Sequence, residues 1–149
     1  IIDGHNLIGA FHDLHYNDPN VKEKLLRKLK KYQQIMNVEI LVVFDGKDKS
    51  NFGRYKKDRI EIRFAGKKRA DDIIIELCKK YNHIQDITVV SSDREIKEVV
   101  RKCGLISKDN GTFAKQIKEV IEKYYQQKQA EDYLSPIQID QWMKYFKKK

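Results

Sequence analysis

The sequence predicts a three-layer α/β/α sandwich around a central, mostly parallel sheet. Apolar runs of strand length alternate along the chain with amphipathic, lysine-rich helical segments. Several of the runs are apolar throughout, which is typical of strands that helices cover on both faces. The strand–helix–strand order implies right-handed crossovers, which place successive strands parallel to one another in one sheet.

The first half of the chain supplies three strands and one helix. Residues 1–2 are interpreted as the end of a buried strand, followed by a tight turn at Gly4. Apolar residues recur at helical spacing over 21–36, which predicts a helix. The run 39–44 predicts a strand covered on both faces. The segment 58–64 alternates apolar and charged residues, which indicates a half-exposed or edge strand, or an extended flap.

The second half alternates helices and strands without a linker that would divide it. Helices are predicted over 71–81, 93–102 and 111–127, a buried strand over 87–90, and a short strand over 105–106. A domain over residues 1–128 is therefore expected. Residues 129–149 are expected to form an appended segment whose lysine-rich end is disordered.

The composition is that of a small soluble domain. Of 149 residues, 40% are apolar and 36% are charged, and no apolar run approaches the roughly 20 residues of a membrane span. No signal peptide is recognised. Cys78 and Cys103 fall among apolar neighbours on predicted helices, without the spacing of a metal site. Reduced thiols, a cytoplasmic location and no membrane partner are therefore expected.

The positive charge is concentrated in one stretch. The net charge is +9, and the segment 47–69 holds ten Lys or Arg against three Asp or Glu. Such a stretch near acidic residues favours a polyanion held beside a metal site, although a solvated lysine-rich loop is the plainer alternative. The candidate RNA-binding residues are Arg54, Tyr55, Lys56, Lys57, Arg59, Lys67, Lys68 and Arg69.

Acidic residues follow the apolar runs, at the ends where open parallel sheets bind their ligands. Asp3, Asp45 and Asp93 each come after a run, and Asp71-Asp72 opens a helix after the basic loop. Carboxylates brought together repel one another unless they take up protons or share a cation. Mg²⁺ and Mn²⁺ prefer carboxylate oxygens. We therefore predict a Mg²⁺ or Mn²⁺ site at Asp3, Asp71 and Asp93, with Asp45 and Asp72 as further ligands.

Each of these acids also has a plainer interpretation as a turn former or a helix cap. The hypothesis of a common site depends on their joint placement after strands rather than on any one of them. Asn6 is predicted to orient Asp3, a metal-bound water or a substrate phosphate. The predicted catalytic residues are Asp3, Asn6, Asp71 and Asp93.

Four blocks carry a resemblance to a known family. Ile-Ile-Asp3-Gly-His-Asn6, Val-Val-Phe-Asp45-Gly, Ala-Asp71-Asp-Ile-Ile-Ile-Glu and Val-Val-Ser-Ser-Asp93 resemble the YacP-like branch of NYN domains, within the PIN-like nuclease superfamily. The resemblance implies a PIN-like sandwich and a metal-dependent endoribonuclease that cuts single-stranded RNA. It also implies mRNA as substrate and the translating ribosome as a partner. The family's acidic positions match Asp3, Asp71 and Asp93, and its asparagine matches Asn6.

The rival hypothesis is a non-catalytic RNA-binding domain with the same fold. The acids favour the enzyme, because carboxylates without a metal would repel RNA. Phosphatase chemistry with Asp3 as nucleophile would want a second acid two positions on, where His5 stands. Dinucleotide binding is also disfavoured, because no Gly-x-Gly-x-x-Gly follows the first strand.

Overall fold

The computed structural model describes residues 1–47, 56–57 and 59–133, with the backbone alone for 56, 57, 132 and 133. The strands are β1 (Ile2–Asp3), β2 (Ile40–Phe44), β3 (Lys56–Lys57), β4 (Ile60–Phe64), β5 (Thr88–Val90) and β6 (Ile106–Lys108). The helices are α1 (Gly4–Gly9), α2 (Val21–Met36), α3 (Ala70–Lys80), α4 (Arg94–Lys102) and α5 (Asn110–Tyr133).

The strands form one sheet in the order β3-β4-β2-β1-β5-β6. All neighbouring pairs are parallel except β3, which runs antiparallel to β4. β1 lies in the middle, with Ile2 opposite Val42 of β2 and Val90 of β5. The mostly parallel sheet predicted from the sequence is confirmed. The residues that follow β1, β2 and β5 share one edge of the sheet, called here the carboxyl edge, and the opposite edge is the amino edge.

Helices cover both faces of the sheet, and each face has its own core. On one face, Leu25 of α2 and Ile117 of α5 belong to the same core as Val42. On the other face, Ile74 of α3 packs in the core that contains the next strand residue, Val43. All five side chains are fully buried. Alternate residues of a strand point to opposite faces, so β2 contributes to both cores and the three-layer prediction is confirmed.

The start of the chain differs from the sequence prediction. The turn expected at Gly4 is the short helix α1, which begins directly after Asp3. Gly4 is needed there for a close approach, since a Cβ at this position would lie 2.3 Å from a ring carbon of Phe44. The absence of that Cβ lets the helix lie directly against β2.

The segment predicted as an edge strand or flap is an inner strand. β4 pairs with β2 on one side and with β3 on the other. Its charged residues Glu61 and Arg63 are tolerated there because they form an ion pair with each other, with Nε and Oε1 2.9 Å apart. The alternating pattern therefore reflects a paired, half-buried face rather than an open edge.

The C-terminal helix is longer than predicted. α5 continues past residue 127 to Tyr133, through a run of Gln, Lys, Ala and Glu that favours helix. The domain boundary predicted at residue 128 falls inside this helix and stays a prediction. Residues 134–149 of the expected appended segment lie outside the described part of the chain.

The two cysteines, Cys78 and Cys103, are buried and unpaired, as the sequence predicted. Among the helices described, none combines the length and apolar character needed to cross a bilayer.

Candidate active site

Asp3 is the buried acid at the middle of the carboxyl edge. Its Oδ1 accepts the backbone N–H of Asn6 at 3.3 Å, and its Oδ2 accepts the side-chain amide of Asn6 at 2.8 Å. Only 2% of Asp3 is exposed. Burial raises the pKa of Asp3 to about 6, and the Asp71 and Asp45 carboxylates add to the rise, against hydrogen bonds from Asn6 and His5. Asn6 thus fixes the orientation of a carboxylate that is costly to ionise.

Asp71 and Asp93 lie at the starts of two helices on the opposite face of the sheet from α1. Asp71 is in the first turn of α3, and Asp93 caps α4 by accepting the N–H of Ile96 at 3.0 Å. Burial raises the pKa of Asp71, and the Asp93 carboxylate raises it further, whereas Arg69 lowers it. Because Asp71 interacts electrostatically with both Asp3 and Asp93, the structure brings the three predicted acids into one neighbourhood.

Asp45 and Asp72 each have a structural hydrogen bond at the start of α3. Oδ1 of Asp45 accepts the N–H of Ala70 at 2.8 Å, and Oδ2 of Asp72 accepts the N–H of Arg69 at 3.3 Å. Both residues are exposed, and both contribute to the raised pKa of Asp71. They add negative charge to the site while they stabilise a helix terminus.

The donor set fits a hydrated hard cation better than a closed protein cage. Mg²⁺ commonly takes one or two carboxylates and keeps several waters, and the oxygens here have the right chemistry for it. Across the described residues, no three or more His, Cys, Asp or Glu side chains are grouped so that they could hold an ion directly. The five-acid ligand set predicted from the sequence is not assembled in this arrangement. Asp3, Asp71 and Asp93 stay the predicted contacts, in part through water.

Three of the predicted RNA-binding residues lie beside the acids. Lys67, Lys68 and Arg69 are exposed in the loop between β4 and α3, at the carboxyl edge. Arg69 forms an ion pair with Asp71, with Nη2 and Oδ2 2.8 Å apart. Lys68 forms an ion pair with Glu76 at 2.8 Å. The loop therefore places cations at the rim of the site and neutralises part of the Asp71 charge.

Arg59 is not brought to the acids. It directly precedes β4, which runs parallel to β2, so it lies at the amino edge, where its guanidinium contacts Asn37 and Glu39. A cavity of about 880 Å³ that Arg59 lines lies at this edge as well. The backbone of Lys56 and Lys57 pairs with the first residues of β4, and Arg54 and Tyr55 lie outside the described residues.

The structure reveals a cluster at the carboxyl edge that was not predicted from the sequence. The rings of Tyr16 and His5 stack with centroids 6.2 Å apart, His5 meets Phe44 at 6.1 Å, and Phe44 stacks on Phe64 at 5.7 Å. Nζ of Lys22 lies 5.2 Å from the centroids of both phenylalanines. These five residues are called the ring cluster. A signal was available, since Phe44 and Phe64 each end a strand and so meet at one edge.

His5 connects the ring cluster to the acids. Burial lowers the pKa of His5, and Lys22 lowers it further, whereas the Asp45 carboxylate opposes the shift. Its Nδ1 is buried and has no hydrogen-bond partner in the described part of the chain. The imidazole therefore serves as a neutral ring at pH 7, stacked against Tyr16.

Removal of the Asp45 hydrogen bond is expected to destabilise the start of α3. Asp45→Ala leaves the N–H of Ala70 without its acceptor, and we expect a loss of about 1 kcal/mol in the free energy of unfolding. Asp45→Asn keeps an oxygen in the same place and should stay close to wild type. Urea denaturation of both variants measures the difference. Equal losses in the two variants would show that the charge of Asp45, rather than its hydrogen bond, stabilises the fold.

Comparison with known protein families classifies the chain. A family model described as the YacP-like NYN domain matches residues 1–147. The chain belongs to the YacP-like NYN domain family. The resemblance carried by the four sequence blocks is thereby confirmed, and membership places this NYN domain in a nuclease family of the RNase type.

Two solved structures share the fold of this NYN domain. The crystal structure of Rae1 (YacP) from Bacillus subtilis has a TM-score of 0.70 and 24% identity, covering 99% of this chain and 91% of its own. A point mutant of the same protein has a TM-score of 0.72 and 23% identity, covering 94% of this chain and 86% of its own. At these identities the likeness shows the fold. No curated protein sequence matches this NYN domain significantly.

Proposed function

We propose that this NYN domain is a metal-dependent endoribonuclease that cuts single-stranded RNA with Mg²⁺ or Mn²⁺ at the carboxyl edge. The observation that supports it is the placement of Asp3, Asp71 and Asp93 at the starts of α1, α3 and α4 along one edge of the sheet, with Asp71 close enough to interact electrostatically with each of the other two. Ionised carboxylates that are buried near one another oppose folding. Such a destabilising arrangement is expected at a functional site, where a bound cation would offset the repulsion.

The side chains of the domain itself orient the carboxylates and attract the substrate. When bound, a divalent ion would provide an activated water and stabilise charge that develops on the phosphate. Asp3 is ionised at neutral pH, because its pKa is about 6, and its two hydrogen bonds from Asn6 hold the carboxylate in one orientation. Lys67, exposed at the rim, attracts the phosphate backbone of the substrate, whereas the charge of Lys68 is largely neutralised by Glu76.

The proposal extends to mRNA on the translating ribosome as the natural substrate, and hence to the cytoplasm. A net charge of +9 suits a surface that meets a large polyanion. Sedimentation with purified ribosomes tests this extension. We expect the domain to pellet with ribosomes at low salt and to be released as salt rises. A domain that stays in the supernatant at low salt would confine the proposal to free RNA.

Cleavage of an end-labelled single-stranded RNA tests the central proposal. We expect cutting with Mn²⁺ or Mg²⁺, none with EDTA, and a loss of at least about 100-fold in Asp71→Asn and Asp93→Asn, as for removal of other transition-state stabilising groups. Asp86→Asn is the matched control. Asp86 is exposed in the loop before β5, at the amino edge, and its φ of 65° suits asparagine equally well.

Equal cleavage by Asp71→Asn and Asp86→Asn would reject the carboxyl edge as the site of cutting. Binding of RNA without cleavage by any of the proteins would reject the enzyme and establish the non-catalytic RNA-binding domain. That rival has an observation in its favour, because Arg69 pairs with Asp71 and Asn6 satisfies both oxygens of Asp3 without a metal.

A further inference from the structure

Tyr16 presents an exposed aromatic ring beside the acids. It is 59% exposed, although its ring stacks on His5 at an interplanar angle of 20°. The proposed metal-binding role of the acids does not explain why a large aromatic side chain is exposed at this edge. A flat ring with one face packed and much of its surface exposed is suited to stacking with a second flat group.

The Tyr16 ring is held in place before any ligand arrives. Its hydroxyl donates to the backbone oxygen of His5 at 2.8 Å. Gly9 leaves the room that this contact needs, since a Cβ there would lie 2.3 Å from the Tyr16 hydroxyl oxygen. A pre-positioned ring loses little conformational entropy when a partner stacks on it.

Lys22 adds a positive charge that no carboxylate neutralises in the described part of the chain. Its ammonium lies over the rings of Phe44 and Phe64, and cation–π contacts leave its net charge intact. Lys24, two residues on, differs because it forms an ion pair with Asp18. Of these two lysines at the start of α2, Lys22 is therefore the one available to a phosphate.

We propose that the ring cluster is a nucleotide subsite, in which an unpaired RNA base stacks on Tyr16 and an adjacent phosphate pairs with Lys22. The inference rests on the proposed function and deepens it. His5 lies two residues after Asp3, and Asp45 acts electrostatically on both, so the subsite adjoins the acids. A base inside a duplex has no free face to offer, so this subsite selects single strands.

Binding of fluorescent RNA without cleavage tests the stacking step. Short oligonucleotides carry 2-aminopurine at successive positions, and EDTA is present throughout. We expect the wild type and Tyr16→Phe to quench the fluorescence at one position, and Tyr16→Leu to lose the quenching. Affinity should fall by about 10- to 100-fold in Tyr16→Leu, as for removal of one base–aromatic stack. Tyr124→Ala, at another exposed tyrosine on α5, should bind as the wild type does.

The salt dependence of binding tests the phosphate contact. One lost contact to a single strand is expected to reduce the slope of log affinity against log salt by about 0.7. Lys22→Gln should show this reduction. Lys24→Gln, the matched control, should keep the slope of the wild type, because Asp18 already neutralises that lysine.

The subsite is overturned if Tyr16→Leu, folded by its melting curve, quenches like the wild type, or if Lys22→Gln and Lys24→Gln have equal slopes. If Tyr16→Leu does not fold, the two lysine variants decide the matter. Quenching by a protein that never cuts RNA would reject the proposed function and leave the subsite in place. Cleavage by a protein without quenching would reject the subsite alone.

Discussion

Asparagine in place of Asp3 is expected to abolish RNA cleavage and to stabilise the metal-free protein at neutral pH. Asp3 is 2% exposed, and burial, with help from Asp71 and Asp45, raises its pKa to about 6. Asparagine keeps an oxygen for the N–H of Asn6 and is itself a good N-cap residue. It removes the charge that the proposed site requires and the fold disfavours, and its Nδ2 replaces the Oδ2 that accepts the side-chain amide of Asn6. Asn6 is exposed, so its amide can turn over and present an oxygen to the new donor.

The pH dependence of this effect has a definite sign. A pKa of about 6 in the folded protein, above the ordinary 3.8, means that ionised Asp3 opposes folding. The destabilisation is complete above about pH 6 and disappears as pH falls through that value toward 3.8. A rise of two pKa units corresponds to an upper limit of about 3 kcal/mol.

Thermal melting in EDTA between pH 4 and pH 8 measures this difference. Asp3→Asn should melt higher than the wild type at pH 8, and the gap should close toward pH 4. Mn²⁺ should raise the melting temperature of the wild type and not that of Asp3→Asn. Asp86→Asn should match the wild type throughout, since Asp86 is exposed. A gap that is constant with pH would contradict a buried carboxylate as its cause.

Alanine in place of Gly4 is expected to destabilise the domain by about 1–3 kcal/mol, as overpacking of a filled core does. A Cβ at Gly4 would lie 2.3 Å from the ring of Phe44. Phe44 is fully buried, and its ring is held between His5 and Phe64. The ring cannot move aside without displacing its neighbours, so either it or α1 must shift.

Urea denaturation measures this loss, and Gly111→Ala is the matched control. Gly111 also lies near the start of a helix, but a Cβ there would meet no atom within 4 Å. Gly111→Ala should therefore be neutral or slightly stabilising, because alanine has less conformational freedom to lose on folding. If both variants unfold at the same urea concentration, Phe44 accommodates the extra carbon and the close approach has no energetic consequence.

The fold was predictable because its strands are short, apolar and separated by clear helical periodicity. The neighbourhood of Asp3 and Asp93 was predictable for the same reason, since residues after parallel strands must share an edge. Arg59 was grouped with Lys67 because both belong to one basic stretch. Five residues of β4 separate them, a distance of about 17 Å along a strand, so they lie at opposite edges of the sheet.

Neither the ring cluster nor α1 could be predicted from the spacing of apolar residues along the chain. The cluster joins side chains of α1, α2, β2, β4 and the loop that holds Tyr16, and only the contact between the two strand-end residues Phe44 and Phe64 left a signal in the sequence. α1 has six residues, too few for a helical repeat and too few to be stable without packing. Its formation depends on Asp3 as a local cap and on the contact of Gly4 with Phe44, and the second of these is a tertiary feature.

Three of the acids at the carboxyl edge also hold the beginnings of helices: Asp3 for α1, Asp45 for α3 and Asp93 for α4. Selection for folding alone would retain an oxygen at each position. A descendant that lost the proposed catalysis would therefore still display most of these acids. Asparagine keeps the capping hydrogen bond and removes the charge. Asparagine at these positions, and not alanine or glycine, is therefore the substitution expected in an inactive paralogue.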